Sequence, residues 1–327
     1  MRAFELVIAK DAAHALALLA EHGPSVKVLA GGTDLLVDLK SALHVPRVVV
    51  DISRAAELKG IAVTGQGLRI GALVTHTEIM RSPLIAEMFP ALAAAAHAIG
   101  AVQTRNMGTL GGNLATCVPS MDSGPALVAL DALVVIAGAG GRRQLPLTGF
   151  FAGPRQPLLK PDELLVEIII PTENLGKPAD FQKFGLRKGQ ALALVNAAAS
   201  LRVDWERGVC VAPRVALGAV APTVIRARAA EAHLEGRAIT PNVIAEAGRI
   251  AAGEARPIGD FRASADYRRD LIAVLTRRAL ANAYARALKA REHESQRRDA
   301  ERIGAGGDDA ACAAARPVRP YGVQTGL

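Results

Sequence analysis

Two double-glycine stretches carry the residue types best suited to gripping a phosphate. The first is Ala30-Gly31-Gly32-Thr33-Asp34. The second is Thr109-Leu110-Gly111-Gly112-Asn113, inside the run from Arg105 to Thr116. Glycine lets the backbone reach positive φ and lets a ligand approach the main chain. Successive N–H groups in such a turn make a concave anion site. Either stretch alone also reads as a tight turn, because Gly and Asn dominate turns. Two of them, far apart in sequence, suit a grip on one pyrophosphate from two sides. Gly65-Gln66-Gly67 sits in a predicted hairpin and lacks the third glycine of a dinucleotide fingerprint. Gly138-Ala139-Gly140-Gly141 has no helix after it and is read as a hairpin turn.

Composition narrows the field. The chain has 327 residues, enough for two or three domains, and is 50% hydrophobic, so a large core is available. Aromatics are 3%, with Trp205 the one tryptophan, which argues against stacking platforms for single-stranded nucleic acid. The formal charge of +8 is scattered, with a local excess at Arg268, Arg269, Arg277 and Arg278. A nucleic-acid face would cluster it; a solvated surface plus docking to acidic partner subunits is expected instead. Cys117, Cys210 and Cys312 are too few for a four-cysteine cluster or zinc site, and their spacing suggests a reducing compartment. Without a signal-peptide pattern or a membrane-length apolar run, a cytoplasmic protein is expected.

The elements that must position the two stretches follow from periodicity. Asp11 caps a predicted helix that stops at Gly23-Pro24. A strand over 27–30 leads into the first glycine stretch. A helix over 35–42 leaves it, with its N-terminal dipole aimed at bound phosphate. A strand follows over 47–52. Two strands flank Gly65-Gln66-Gly67, and helices are expected over 77–80 and 89–99. His76 is assigned a capping or structural role, and His97 a packed or surface one. After the second glycine stretch come a buried apolar segment at 125–130 and strands at 132–136 and 164–170. Composition shifts near Pro171 to Pro178. Beyond it, strands at 192–203 and 210–219 precede helices at 227–234, 241–253 and 264–288, an α+β order. From Arg291 the chain is charged and then Gly/Ala-rich; a flexible tail is expected there, with Arg316 to Tyr321 as a peptide that docks on a partner.

The ordered set of motifs resembles the flavin (medium) subunit of the molybdenum hydroxylases, the xanthine dehydrogenase and carbon monoxide dehydrogenase family. It comprises the two glycine stretches, Arg105-Asn106-Met107-Gly108, then Pro119, Ser120 and Asp122, then 183–193, then Ser264 to Arg269. It covers about residues 1–288. The resemblance implies an α+β protein: a two-lobed, vanillyl-alcohol-oxidase-like (PCMH-type) FAD domain over 1–175, with lobes at about 1–58 and 59–175. An α+β C-terminal domain would follow over 176–288, then a flexible tail over 289–327.

It also implies FAD contacts at Leu29, Ala30, Gly31, Gly32, Thr33 and Asp34, and at Thr109, Gly111, Gly112, Asn113 and Thr116. Asp122 would sit at the adenosine or ribityl end, Leu165 beside the cofactor, and Lys183 close by. Leu192 stands where some relatives place a tyrosine against the isoalloxazine, and Ala191 where many carry an acid. The four-cysteine insertion of the 4-hydroxybenzoyl-CoA reductase flavin subunit is missing.

The implied function is electron transfer from two [2Fe–2S] clusters on a small subunit through FAD to an external acceptor such as NAD, oxygen or a quinone. A molybdopterin-type molybdenum cofactor sits on a large subunit, and the assembly is a dimer of heterotrimers. No catalytic acid, base, nucleophile or metal ligand is assigned to this chain. The alternative is a free-standing FAD-dependent oxidoreductase of the same fold. With Gly112 read as a positive-φ position, Gly112→Val is expected to abolish flavin retention.

Overall fold

Three main sheets and the helices packed on them carry the fold, and the first glycine stretch meets the residues just before the second. The computed structural model describes the backbone of residues 1–305 and the side chains of residues 1–296. The N-terminal lobe runs β1 (Glu5–Ile8), α1 (Ala12–His22), β2 (Val26–Leu29), α2 (Leu35–Lys40) and β3 (Val48–Asp51). Its strands form a parallel sheet in the order β1-β3-β2. Asp11 caps α1 through a bond from the His14 N–H of 2.7 Å.

The second sheet is antiparallel, in the order β4-β5-β10-β6-β7. It comprises β4 (Ile61–Thr64), β5 (Gly67–Gly71), then after the helices β6 (Leu133–Gly138) and β7 (Gly141–Pro146), a small hairpin of β8 (Phe151–Gly153) and β9 (Gln156–Pro157), and β10 (Leu164–Pro171). Between β5 and β6 run six short helices: α3 (His76–Arg81), α4 (Pro83–Met88), α5 (Pro90–Ala98), α6 (Val102–Met107), α7 (Leu110–Thr116) and α8 (Ser123–Val128).

Strand β10 explains how this sheet serves two cores. Leu164, Val166 and Ile169 join the N-terminal lobe's core, while Leu165, Ile168 and Ile170 join the core beneath the helices. Strict alternation would place 166 and 168 on one face. The pairing with β6 slips between Leu165 and Glu167, and that bulge flips the faces.

The third sheet, β11-β12-β13-β14, is built from β11 (Ala179–Phe184), β12 (Val195–Asp204), β13 (Val209–Gly218) and β14 (Ile225–Arg226). It is covered on both sides. Ala198 and Ala216 face the α3–α8 layer, whereas Ala197, Ala199, Leu201, Val215 and Leu217 face α9 (Arg228–Leu234), α10 (Pro241–Glu254) and α11 (Ala265–Ala305). Alanines at these positions let the helices approach closely.

Several expectations are corrected. The segment 110–116 is a helix, not a glycine turn: the Thr109 hydroxyl caps it and Leu110 and Leu114 are fully buried, so one face is drawn into the core. Helix α6 and strand β11 carried no clear periodic signal. Strand β12 starts at Val195, leaving Leu192 in a loop. Helix α11 continues past Leu288 to Ala305 because the charged stretch is made of good helix formers (Ala, Arg, Glu, Lys) with no Gly or Pro before Gly304. The 291–305 part of the expected flexible tail is therefore helical. The docking peptide expected at Arg316 to Tyr321 lies outside the described residues. Among the described residues, no helix is long and apolar enough to cross a membrane.

Candidate functional site

The chain leaves β2 at Leu29 and turns through residues 30–34 into α2. Gly32 has φ +73°, the left-handed region that favours glycine. Gly31 is constrained by space: a Cβ there would lie 1.8 Å from the Met107 carbonyl oxygen and 3.1 Å from Gly108 Cα. The first glycine stretch is thus pressed against the residues just before the second. Among the described residues, no acceptor takes up the N–H groups of residues 31–35; the first bond of the turn runs from the Leu36 N–H to the Gly32 carbonyl at 3.1 Å. Five consecutive donors left free in one turn are suited to an anion. Helix α2 is only 6 residues long, so these donors matter more than its dipole.

The second stretch works differently from the reading of a matching glycine turn. Leu110 donates to the Val74 carbonyl at 2.8 Å and Gly111 to the Ala72 carbonyl at 2.9 Å. Gly112 donates to Thr109 Oγ1 at 3.1 Å, and Asn113 to the Thr109 carbonyl at 2.9 Å. These N–H groups are spent inside the protein. Neither Gly111 nor Gly112 has positive φ, so the expected backbone reason for Gly112 does not hold. What remains is closeness. A Cβ on Gly111 would lie 2.6 Å from Ala72 Cβ, and one on Gly112 would lie 2.8 Å from Thr109 Oγ1. Asn113 Oδ1 accepts from Ser123 Oγ, its Nδ2 finds no acceptor among the described residues, and Thr116 Oγ1 donates to the Gly112 carbonyl at 2.8 Å.

At the far end the third sheet reaches in. Lys183 Nζ, on β11, donates to Asp122 Oδ2 at 2.5 Å and to the Ala98 and Ala191 carbonyls at 2.9 Å each. Asn196, on β12, donates to Asp122 Oδ1 at 2.8 Å. Burial pushes the Asp122 carboxyl up, and the Lys183 ammonium and the Asn196 amide pull it back only in part. Gln190 fastens the 185–194 loop, its N–H donating to the Gly100 carbonyl at 3.0 Å and its side chain to Thr104 Oγ1 at 3.1 Å.

These pieces enclose one cleft of about 1010 Å³, large for a ligand pocket. Of the residues expected to touch the cofactor, Ala30 to Asp34, Thr109, Gly111, Gly112, Asn113, Thr116, Asp122, Leu165 and Leu192 line it. Leu29 and Lys183 do not: Leu29 packs beneath Gly32, and Lys183 lies behind Asp122. Leu165 is buried in the floor, and Leu192 is 55% exposed at the mouth.

Sequence reasoning missed three participants. Arg155, at φ 58° between β8 and β9, joins the cleft wall and pairs with Asp38 of α2 at 2.8 Å, strapping the two lobes together. Asn196 is completely buried. His76 is 2% exposed, yet it lines the cleft. Local sequence offered no signal for the first two, since their partners are 117 and 74 residues away. His76 was masked by the Thr75/Glu78 capping box around it.

A row of free N–H groups opposite a low wall of glycines, inside a cleft this long, fits a dinucleotide with its pyrophosphate across the junction. The comparisons agree. Residues 2–173 match the family model described as the FAD binding domain in molybdopterin dehydrogenase, and residues 181–283 the one described as the CO dehydrogenase flavoprotein C-terminal domain. The chain belongs to the FAD-binding medium subunits of the molybdenum hydroxylase family.

Within that family it is 35% identical to the carbon monoxide dehydrogenase medium chain of Hydrogenophaga pseudoflava, over 86% of this chain and 98% of that one. It is also 35% identical to the putative xanthine dehydrogenase FAD-binding subunit of Escherichia coli K12, over 84% and 94%. Among solved structures, a carbon monoxide dehydrogenase from H. pseudoflava superimposes with a TM-score of 0.83 at 36% identity, covering 87% of this chain and 98% of the other. Quinoline 2-oxidoreductase from Pseudomonas putida 86 gives 0.81 at 32% identity, covering 88% and 99%. FAD is therefore the cofactor of this oxidoreductase subunit, and its fold is the α+β arrangement of an FAD-binding unit followed by a C-terminal unit.

Proposed function

We propose that this chain holds FAD in the cleft and serves as the electron-output subunit of a multi-subunit molybdenum hydroxylase. Bound FAD supplies the redox relay between [2Fe–2S] clusters on a small partner subunit and an external acceptor, while a large partner subunit carries the molybdenum cofactor. The observation that carries the reading is the run of unpartnered N–H groups at residues 31–35, set against the small-residue wall of α7. The loop donors hold the pyrophosphate. Asn113 Nδ2 and the Thr116 hydroxyl hold polar groups along the cleft. Asp122, steadied by Lys183 and Asn196, accepts from hydroxyls at the far end. Leu165 gives the ring system an apolar floor. Ala191 and Leu192 bring no acid or phenol to the mouth.

The domain boundaries proposed are 1–175 for the FAD-binding unit, with lobes at about 1–58 and 59–175, then 176–288 for the C-terminal unit and 289–327 for the extension. The "medium chain" naming of the relatives supports partners of two other sizes; a dimer of heterotrimers in the cytoplasm is the assembly we propose. The test is to purify the complex from its host, record its visible spectrum, release the cofactors and identify the subunits. FAD together with iron–sulfur absorption, molybdenum and two co-purifying chains is the expected result. FAD on a lone chain without iron or molybdenum refutes the partnership, and absence of flavin refutes the cleft assignment.

A further inference from the structure

His76 is a buried histidine with an unpartnered ring nitrogen. Its backbone is fully employed: the N–H donates to the Gly108 carbonyl at 3.1 Å, and the residue opens α3 behind the Thr75 cap. The ring is not. It is 2% exposed, and its Nδ1 has no partner among the described residues. Buried imidazoles in folded proteins normally satisfy at least one nitrogen.

The ring's position says where a partner belongs. His76 lines the cleft. A Cβ built on Gly108 would lie 3.4 Å from His76 Cδ2 and 3.5 Å from Thr33 Oγ1, so the ring carbon next to Nε2 sits at the seam where the two glycine stretches meet, while Nδ1 is turned into the fold. The free N–H groups of residues 31–35 line the same seam. Burial first, and the nearby Arg105 guanidinium second, hold the imidazole down at about 4, so it is neutral under physiological conditions. A neutral ring carries one proton. Nδ1 has no acceptor within the fold, so the proton is best placed on Nε2, where a ligand can accept it.

We propose that His76 is a cofactor-binding residue whose Nε2–H donates to a pyrophosphate oxygen of the bound dinucleotide, from the side opposite the 31–35 loop. The inference rests on the assignment of FAD to this cleft and adds a side-chain contact to it. A neutral donor suits the position. It adds a hydrogen bond without adding a cation beside Arg105.

The experiment titrates the deflavinated full-length chain with FAD, with ADP and with riboflavin, using wild type, His76→Leu and His76→Gln, and checks folding by circular dichroism melting. A hydrogen bond to a charged oxygen predicts that His76→Leu weakens FAD and ADP alike by about tenfold or more, roughly 1.4 kcal/mol for each factor of ten. Riboflavin, which lacks the pyrophosphate, is unaffected. His76→Gln, whose amide can donate from a similar place, recovers most of the loss. Wild-type FAD and ADP affinity in His76→Leu overturns the proposal. So does an equal loss in both variants, which would mean that the ring acts by packing. Loss of riboflavin binding in step with FAD also overturns it, by moving the contact off the pyrophosphate. Failure of the wild-type chain itself to take up FAD would refute the cleft assignment and, with it, this contact.

Discussion

Replacing Gly31 by alanine tests the site at its tightest point. The added Cβ would lie 1.8 Å from the Met107 carbonyl oxygen and 2.5 Å from its carbon, both backbone atoms that no rotamer change can move. Carbon–oxygen contacts settle near ~3.3–3.6 Å, so the 30–34 loop must retreat by roughly 1.5 Å from α6. A retreat of that size lengthens a hydrogen bond of ~2.9 Å beyond its useful range. Loss of two charge-assisted bonds to a pyrophosphate, at about 1.5–3 kcal/mol each, lowers FAD affinity by at least about 100-fold. Overpacking adds about 1–3 kcal/mol against folding, a melting temperature lower by several degrees.

Gly112→Ala is the internal control. Its Cβ meets only the Thr109 side-chain oxygen, at 2.8 Å, and the position is helical. The strain on that cap, at about 0.5–2 kcal/mol, is largely offset by the better helix propensity of alanine, at about 1 kcal/mol. FAD fluorescence titration of the deflavinated chain ranks the two variants, with melting of the same samples alongside. A Gly31→Ala protein with FAD affinity within about threefold of wild type, on the scale of ~1.4 kcal/mol per tenfold, would refute the close-approach reasoning.

Three further outcomes follow from the packing. Asp122→Asn strands the Lys183 ammonium, whose side chain is 11% exposed, and should cost about 3–5 kcal/mol in thermal or denaturant unfolding. Pairing it with Lys183→Met should restore part of the loss, and no destabilisation in the single variant would contradict a coupled buried pair. Asp260 is partly desolvated, which raises its carboxyl, but bonds from the Arg262 N–H, the Arg268 guanidinium, the Ala263 N–H and the Arg262 guanidinium outweigh this and hold it at about 2. Its folded value is below its unfolded one, so its contribution is present above pH ~4 and disappears as pH falls toward ~2. Asp260→Asn should flatten the acid limb of the stability curve in that window; an unchanged limb would show that the cluster does not titrate there. Cys117→Ser should keep FAD, because the buried thiol is raised by burial and donates to the Gly153 carbonyl at 3.2 Å, a bond that a hydroxyl can reproduce. Flavin loss from a folded Cys117→Ser variant would place the thiol at the cofactor instead.

The sequence alone determined what depends on neighbours in the chain. Asp11 capping α1, the strand–loop–helix around Gly31-Gly32, the hairpin at Gly65 to Gly67 and the order of the elements are local chemistry: caps, turns and periodicity act over a few residues. The identity of the two glycine stretches as a matched pair was legible too, because close approach to backbone demands glycine wherever it occurs. Their division of labour was not. Only the fold shows that 31–35 keeps its donors free while 110–113 spends its own on Ala72, Val74 and Thr109. The same composition reads identically whether an N–H faces a ligand or a carbonyl 39 residues back. The extent of α11 was misread because charged composition says whether a segment is solvated, not whether it is helical. His76 and Arg155 reach the cleft, and Asn196 reaches the Asp122 that lines it, from elements that only packing brings together. A side chain's role there depends on what stands opposite it in space, which one-dimensional spacing does not encode.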